Sequence, residues 1–294
     1  MNRRRFLKTS GCAATALPVL SGLPTLAMAQ QPNLKLALNA FSFNQALREG
    51  SMNLESLLEY CANLPFAALD ATAYYFPGYP LVPDDATLYS FKHKAYTLGL
   101  SICGTGVRND FAQRDSQKRK EDLKLVENWI AAAARLGTPC LRVFAGKTVE
   151  DRSEWKRARA RLIDGLRQSA DVAAQYGVML NLQNHYEFLK TANEVEDVLL
   201  EIDHPYLGLM LDIGSLRAKP YQEIKQLAPY ARSWQVKEEV YVNGKAEKTN
   251  IERIVEIARA VRYRGYFPLE TLGPGDPKAK VQALLQEAQA ALSS

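Results

Sequence analysis

Ser153 to His185 reads S-E-W-K-R-A-R-A-R-L-I-D-G-L-R-Q-S-A-D-V-A-A-Q-Y-G-V-M-L-N-L-Q-N-H and holds one complete structural unit. Ser153 to Tyr176 mixes charged and apolar residues at helical spacing, and Gly177 is its stop signal. Val178 to Leu182 is then an apolar run of strand length, and it ends on the polar tip Gln183-Asn184-His185. The same order of helix, glycine and apolar strand returns in L-G-L at 98–100, L-G-T at 136–138 and R-G-Y at 264–266.

Working outward, strands are predicted over Leu34–Ala40, Phe66–Thr72, Leu100–Gly104, Cys140–Phe144, Val178–Leu182, Leu207–Leu211, Ser233–Val236 and Tyr266–Leu269. Helices are predicted over Leu54–Cys61, Asp84–Leu98, Ser116–Leu136, Ser153–Tyr176, Thr191–Ile202, Tyr221–Leu227, Asn250–Val261 and Pro277–Leu292. The strands are apolar enough to be covered on both faces, as in a parallel sheet. The fold class expected is α/β, a single (β/α)8 TIM barrel over residues 30–294. A doubly wound open sheet is the alternative. It is disfavoured by eight regular units without a Gly-rich phosphate loop after the first strand.

Residues 1–29 form a separate segment. Arg3 and Arg4, followed by Phe6, Leu7 and Lys8, match a twin-arginine export signal, and Ala27-Met28-Ala29 supplies an A-x-A cleavage site. The apolar stretch between them contains Pro18 and Pro24 and is short for a membrane span, so no stable anchor is expected. The localisation expected is the periplasm, with the twin-arginine export machinery as a partner. Arg3, Arg4, Arg5 and Lys8 carry four of the five net positive charges, which leaves the mature chain near neutral and gives no footprint for nucleic acid. Cys61, Cys103 and Cys140 remain after cleavage, an odd number at irregular spacing. They do not form a disulfide framework, although one disulfide stays open.

In a parallel barrel the functional groups come from the C-terminal strand ends and the loops that follow. That criterion selects Asn39, Asp70, Arg108, Asn109, Asp110, Arg142, Gln183, Asn184, His185, Asp212, Gln235, Lys237, Glu238, Glu239 and Glu270. Arg108, Asn109, Arg142, Tyr75 and Glu238 are assigned to substrate binding, with ion pairing around the rim as the alternative for the charged ones. Gln183, Asp212, Gln235 and Glu270 all offer oxygen to a hard cation.

The ordered set Q-N-H (183–185), L-D-I-G (211–214), W-Q-V-K-E (234–238) and L-E-T-L (269–272) resembles the xylose isomerase-like TIM-barrel superfamily. That superfamily includes sugar isomerases, epimerases, inosose dehydratases and type IV AP endonucleases. In many relatives the corresponding motifs are E-N-H, D-x-G, H-V-K-D and a final Glu, and Glu, Asp, His and Glu bind one divalent cation. The resemblance carries this metal set onto Gln183, Asp212, Gln235 and Glu270. Two ligands are replaced by amides, so the ligand charge falls from −3 to −2. Without the imidazole, Mn²⁺ or Mg²⁺ is expected over Zn²⁺. The alternative is that no metal binds and the amides hydrogen-bond the carboxylates.

The resemblance also implies two opposed glutamates in the epimerases, but Gln183 cannot exchange a proton at neutral pH. Glu270 is then the candidate base, with Lys237 and His185 as candidates for protonating an oxygen. The function expected is an exported sugar isomerase/epimerase-like enzyme acting on a sugar or keto-sugar by metal-assisted proton abstraction next to a carbonyl. The alternatives are a lyase cleaving 3-keto-glycosides by elimination and a non-catalytic periplasmic sugar-binding barrel. An AP endonuclease is excluded by its need for many His ligands, because the chain holds only three His. A glycosidase pairing Asp212 with Glu270 leaves the W-Q-V-K-E segment without a role.

Overall fold

Gly137 and Gly177 stop the two longest helices in the left-handed conformation, at φ 75° and 67°, and turn the chain back into the next strand. Both accommodate this because they lack a Cβ. The computed structural model describes residues 34–294; the export-signal reading lies outside them. The strands are β1 (Lys35–Asn39), β2 (Ala68–Asp70), β3 (Ser101–Gly106), β4 (Cys140–Phe144), β5 (Met179–Gln183), β6 (Leu207–Asp212), β7 (Ala231–Lys237), β8 (Glu239–Val242), β9 (Lys245–Lys248) and β10 (Tyr266–Glu270). The helices are α1 (Asn44–Glu49), α2 (Leu54–Ala62), α3 (Asp85–Thr97), α4 (Ser116–Leu136), α5 (Arg152–Tyr176), α6 (Ala192–Ile202), α7 (Pro220–Leu227), α8 (Ile251–Ala260) and α9 (Pro277–Ser293). Side chains of Asn53, Asp84, Asp115, Asp151, Thr191, Asn250 and Asp276 cap helix N-termini by accepting backbone N–H bonds.

Eight parallel strands close in the order β1-β10-β7-β6-β5-β4-β3-β2, which is the expected TIM barrel. Alternation along the strands separates two environments. Leu36, Leu38, Leu69, Leu141, Leu180, Leu209, Trp234 and Phe267 join the large apolar cluster beneath the helices. Ala37, Ala68 and Cys103 form a second, small cluster with Tyr266 inside the barrel. Two residues further along their strands, Asn39 and Asp70 fall on the same inner face at the C-terminal mouth.

Three details differ from the sequence expectation. The second strand is only three residues long, with a register shift between Leu69 and Asp70. Residues 44–49 add a short helix. After β7 the chain forms the antiparallel hairpin β8–β9 around Asn243 and Gly244 before entering α8. Cys61, Cys103 and Cys140 are buried free thiols, so the open disulfide alternative is not realised. Burial pushes Cys61 and Cys140 up to about 12, which suits packing and not reactivity. Among the described residues no helix is long and apolar enough to cross a membrane.

Candidate active site

Register alone brings the central residues together. Asp212 at the end of β6 pairs with Gln235 on β7, and Lys237 two residues further pairs with Glu270 on β10. Gln183 ends β5, the neighbour of β6 on its other side. All four predicted oxygen donors are nearly inaccessible, at 4% for Gln183, 0% for Asp212, 5% for Gln235 and 3% for Glu270.

These side chains close a ring. Gln183 Nε2 donates to Asp212 Oδ2 at 2.8 Å and to Gln235 Oε1 at 2.7 Å. Gln235 Nε2 donates to Glu270 Oε2. Lys237 Nζ completes the circuit, 3.0 Å from Glu270 Oε1 and 3.1 Å from Asp212 Oδ2. Asp212 is fixed further by Ser215 Oγ–H on Oδ2 at 2.8 Å and by the Gly214 N–H on Oδ1 at 3.0 Å. Asn184 brackets the Asp212 backbone, donating to its carbonyl and accepting its N–H, both at 2.8 Å. Gly214 makes room for the lysine stem, since a Cβ there would lie 2.6 Å from Lys237 Cδ. Sequence reasoning missed Ser215; its place in the turn after β6, directly behind Asp212 and next to the Gly214 of the L-D-I-G motif, was the available signal.

Electrostatics follow from burial and pairing. Burial pushes the Glu270 carboxyl above its ordinary range, Lys237 draws it back, and Asp212 raises it again. Burial also works against the charge on Lys237, but Asp212 and Glu270 outweigh it and hold the ammonium above the usual lysine range. Lys237 is thus held as a cation between the two acids.

The remaining expected residues divide. His185 stands at the rim, its ring edge-on to Phe144 with centroids 5.0 Å apart and Nδ1 3.4 Å from Glu187 Oε2; it makes no hydrogen bond to the ring of five among the described residues. Burial lowers its pKa, so the imidazole is neutral near pH 7. Arg108 pairs with Glu187 at 2.9 Å and lies over Phe144. Arg142 is buried, donates to Tyr74 Oη at 2.8 Å and also lies over the Phe144 ring, 4.2 Å from its centroid. Tyr75 donates to Asn44 Oδ1 at 2.9 Å. Two expected substrate ligands are engaged elsewhere. Asn109 forms a closed pair of bonds with the Phe144 backbone, both 2.9 Å, because the loop after β3 must be tied to the end of β4. Glu238 pairs with Lys280 at 3.2 Å and accepts the Leu272 N–H, so it faces α9.

Asp70 is the unassigned group at the mouth. It is 3% exposed and forms no ion pair among the described residues; its one hydrogen bond comes from Asn39 Nδ2 at a long 3.4 Å. Burial raises its carboxyl to about 6, against the lowering effect of Arg142.

The donor set does not fit a divalent cation. Both amides turn N–H groups toward the carboxylates, and the Gln235 oxygen is taken by Gln183. An ammonium already bridges the two acids. No cluster of three or more His, Cys, Asp and Glu side chains suited to a metal occurs among the described residues. The metal site implied by the resemblance has its four positions together, but their polar atoms are arranged for one another.

No curated protein matches the chain in sequence. Among solved structures, D-psicose 3-epimerase from Clostridium cellulolyticum H10 with D-tagatose is similar at 19% identity and a TM-score of 0.69, covering 88% of this chain and 97% of that one. The apo 3-keto-D-glucoside 4-epimerase from E. coli is similar at 15% identity and 0.68, covering 89% and 100%. A xylose isomerase-like TIM barrel protein from Mycobacterium smegmatis, solved in complex with magnesium, is similar at 17% and 0.65, covering 90% and 98%. At these identities the likeness concerns the fold. The family assignment comes from the sequence itself: the xylose isomerase-like TIM barrel family matches residues 58–292, a span holding every member of the ring and seven of the eight barrel strands, and the chain belongs to that family.

Proposed function

We propose that this protein is a carbohydrate isomerase/epimerase-like enzyme that removes a proton from a carbon next to a carbonyl. One observation carries this reading: Glu270, a buried carboxylate of raised basicity, is held at the barrel mouth beside the fixed positive charge of Lys237. Glu270 takes the proton, and the positive charge of Lys237 stabilises the oxyanion that develops on the substrate. Return of the proton by Glu270 to the neighbouring carbon, with the hydroxyl proton passed to the former carbonyl oxygen, isomerises the sugar; epimerisation needs a second proton donor on the face opposite Glu270. Arg142, with Tyr74 and Phe144, supplies a polar and aromatic wall for a sugar ring. The D-psicose and keto-glucoside epimerases of like fold support a carbohydrate carbonyl as substrate class.

Elimination of a group β to the carbonyl is the second reading. It is favoured by Gln183, which puts an amide where a second acid/base group would serve a symmetric epimerase. We further propose that the protein works in the periplasm, on the strength of the twin-arginine-like leader.

The test is solvent exchange. Ketohexoses and 3-keto-glycosides are incubated with the protein in D₂O and followed by NMR. Deuterium enters the carbon next to the carbonyl with wild type, and Glu270→Gln loses it by roughly the 10²–10⁴ typical of a general base. Exchange at the wild-type rate in Glu270→Gln refutes the base assignment. Tight sugar binding without exchange moves the protein to the sugar-binding reading.

A further inference from the structure

We propose that the Lys237 ammonium is the permanent cation of this site and excludes a divalent metal from it. The inference rests on the function proposed above for what the cation acts on, but its geometry stands independently.

Lys237 Nζ lies 3.1 Å from Asp212 and 3.0 Å from Glu270, the two acids that a bridging cation would have to share. Its stem crosses Gly214, where any Cβ would collide with it. The backbone is therefore shaped to let the lysine reach this spot. The amides complete the arrangement. Gln183 donates to Asp212, and Gln235 donates to Glu270, so each carboxylate receives the lysine and an amide N–H. With two carboxylates and one ammonium, the ring has a formal charge of −1 without any metal; a dication added beside the lysine would reverse it to +1. An amide adds no charge to a metal site, and its N–H repels a cation.

An ammonium has three donors, and the two carboxylates engage two of them. The Lys237 side chain keeps 13% exposure, and its third N–H has no partner among the described residues. It is placed to donate to a substrate oxygen as charge builds there. A point charge of this kind supplies electrostatic stabilisation and keeps its own proton.

Metal binding decides the matter without reference to turnover. The full chain, purified without chelator or histidine tag, is analysed for Mn, Mg and Zn and titrated with Mn²⁺ by calorimetry. Wild type is expected to carry substoichiometric metal and to show no melting shift with Mn²⁺. Lys237→Met is expected to bind Mn²⁺ at least ~30-fold more tightly. That factor follows from the ~2 kcal/mol repulsion between a dication and an ammonium about 4 Å apart even at the dielectric constant of water. Near-stoichiometric Mn²⁺ binding by wild type that is lost in Asp212→Ala overturns the proposal, and this arm needs no folded Lys237 variant. Unchanged Mn²⁺ affinity in a folded Lys237→Met overturns it as well. Absence of sugar turnover, with the metal results as expected, counts against the proposed function and leaves the lysine assignment intact.

Discussion

Replacing Asp70 with asparagine isolates the cost of a buried, unpaired carboxylate at the barrel mouth. In the folded chain the Asp70 carboxyl is raised to about 6 from the ordinary 3.8. Desolvation is the main cause. Between these two values the folded protein holds a proton that the unfolded chain has already released. The contribution of Asp70 to stability is therefore fully present below 3.8 and is lost as pH rises through about 6. At about 1.36 kcal/mol per pKa unit, ionised Asp70 costs ~3 kcal/mol at pH 8 relative to its protonated form. The substituted amide stays neutral at every pH, and its oxygen still accepts from Asn39 Nδ2. Its extra N–H lacks a partner, which offsets the gain by roughly 1 kcal/mol. Asp70→Asn should therefore stabilise the protein by roughly 1–3 kcal/mol at pH 8 and give no stabilisation at pH 4. Urea unfolding at the two pH values measures the difference directly. An equal effect at both pH values, or destabilisation at pH 8 as large as at pH 4, would refute the argument.

Gly214→Ala should push the Lys237 stem aside and lower kcat by about 10²-fold while the melting temperature changes little; steady-state kinetics on the substrate found by solvent exchange measures this, and an unchanged kcat would mean that the position of Lys237 does not matter. Asn109→Ala should destabilise the fold by roughly 2–4 kcal/mol in denaturant unfolding, since the Phe144 backbone loses both partners, and should leave KM unaltered. A raised KM with full stability would return Asn109 to the substrate-binding set. Glu238→Gln should leave kcat/KM within a factor of about 2, because its carboxylate faces Lys280 across a partly exposed pair worth ~1 kcal/mol or less.

The barrel was legible because its cues are local and repeat. Gly137, Gly177 and the capping residues each mark an element end, and the apolar runs between them are of strand length. Gln183, Asp212, Gln235 and Glu270 were legible as a site for the same reason: each closes or nearly closes a strand, and all parallel strands end at one mouth. The β8–β9 hairpin carries its own signal, Asn243-Gly244 between Val-rich and Lys-rich flanks, the pair favoured in tight hairpin turns. The hairpin lies in the 237–249 stretch between the expected seventh strand and the expected helix from Asn250. Asp70 is selected by its place at the end of the second strand, yet it has no ion-pair partner among the described residues. Only the three-dimensional neighbourhood shows that Arg142 turns instead to Tyr74 and the Val107 carbonyl. The spacing of Gln235 and Lys237 places both on one face of β7, but nothing in sequence says that the lysine crosses the turn after β6 to reach Asp212.

That crossing explains why the two amides and the lysine belong to one arrangement. The resemblance supplies a ligand charge of −3, which a dication and a nearby lysine can together neutralise. Here Gln183 removes one negative charge and Gln235 removes an imidazole, and both return N–H donors aimed at the surviving acids. Restoring Glu at 183 alone would set a third buried carboxylate against Asp212 Oδ2 and delete the donor of two ring bonds. One lysine could not offset that, and a metal would be needed to hold the site together. The closed ring and the metal site are thus two incompatible uses of the same strand ends, and in this protein the Gln183 and Gln235 amides and the Lys237 ammonium are all turned to the ring.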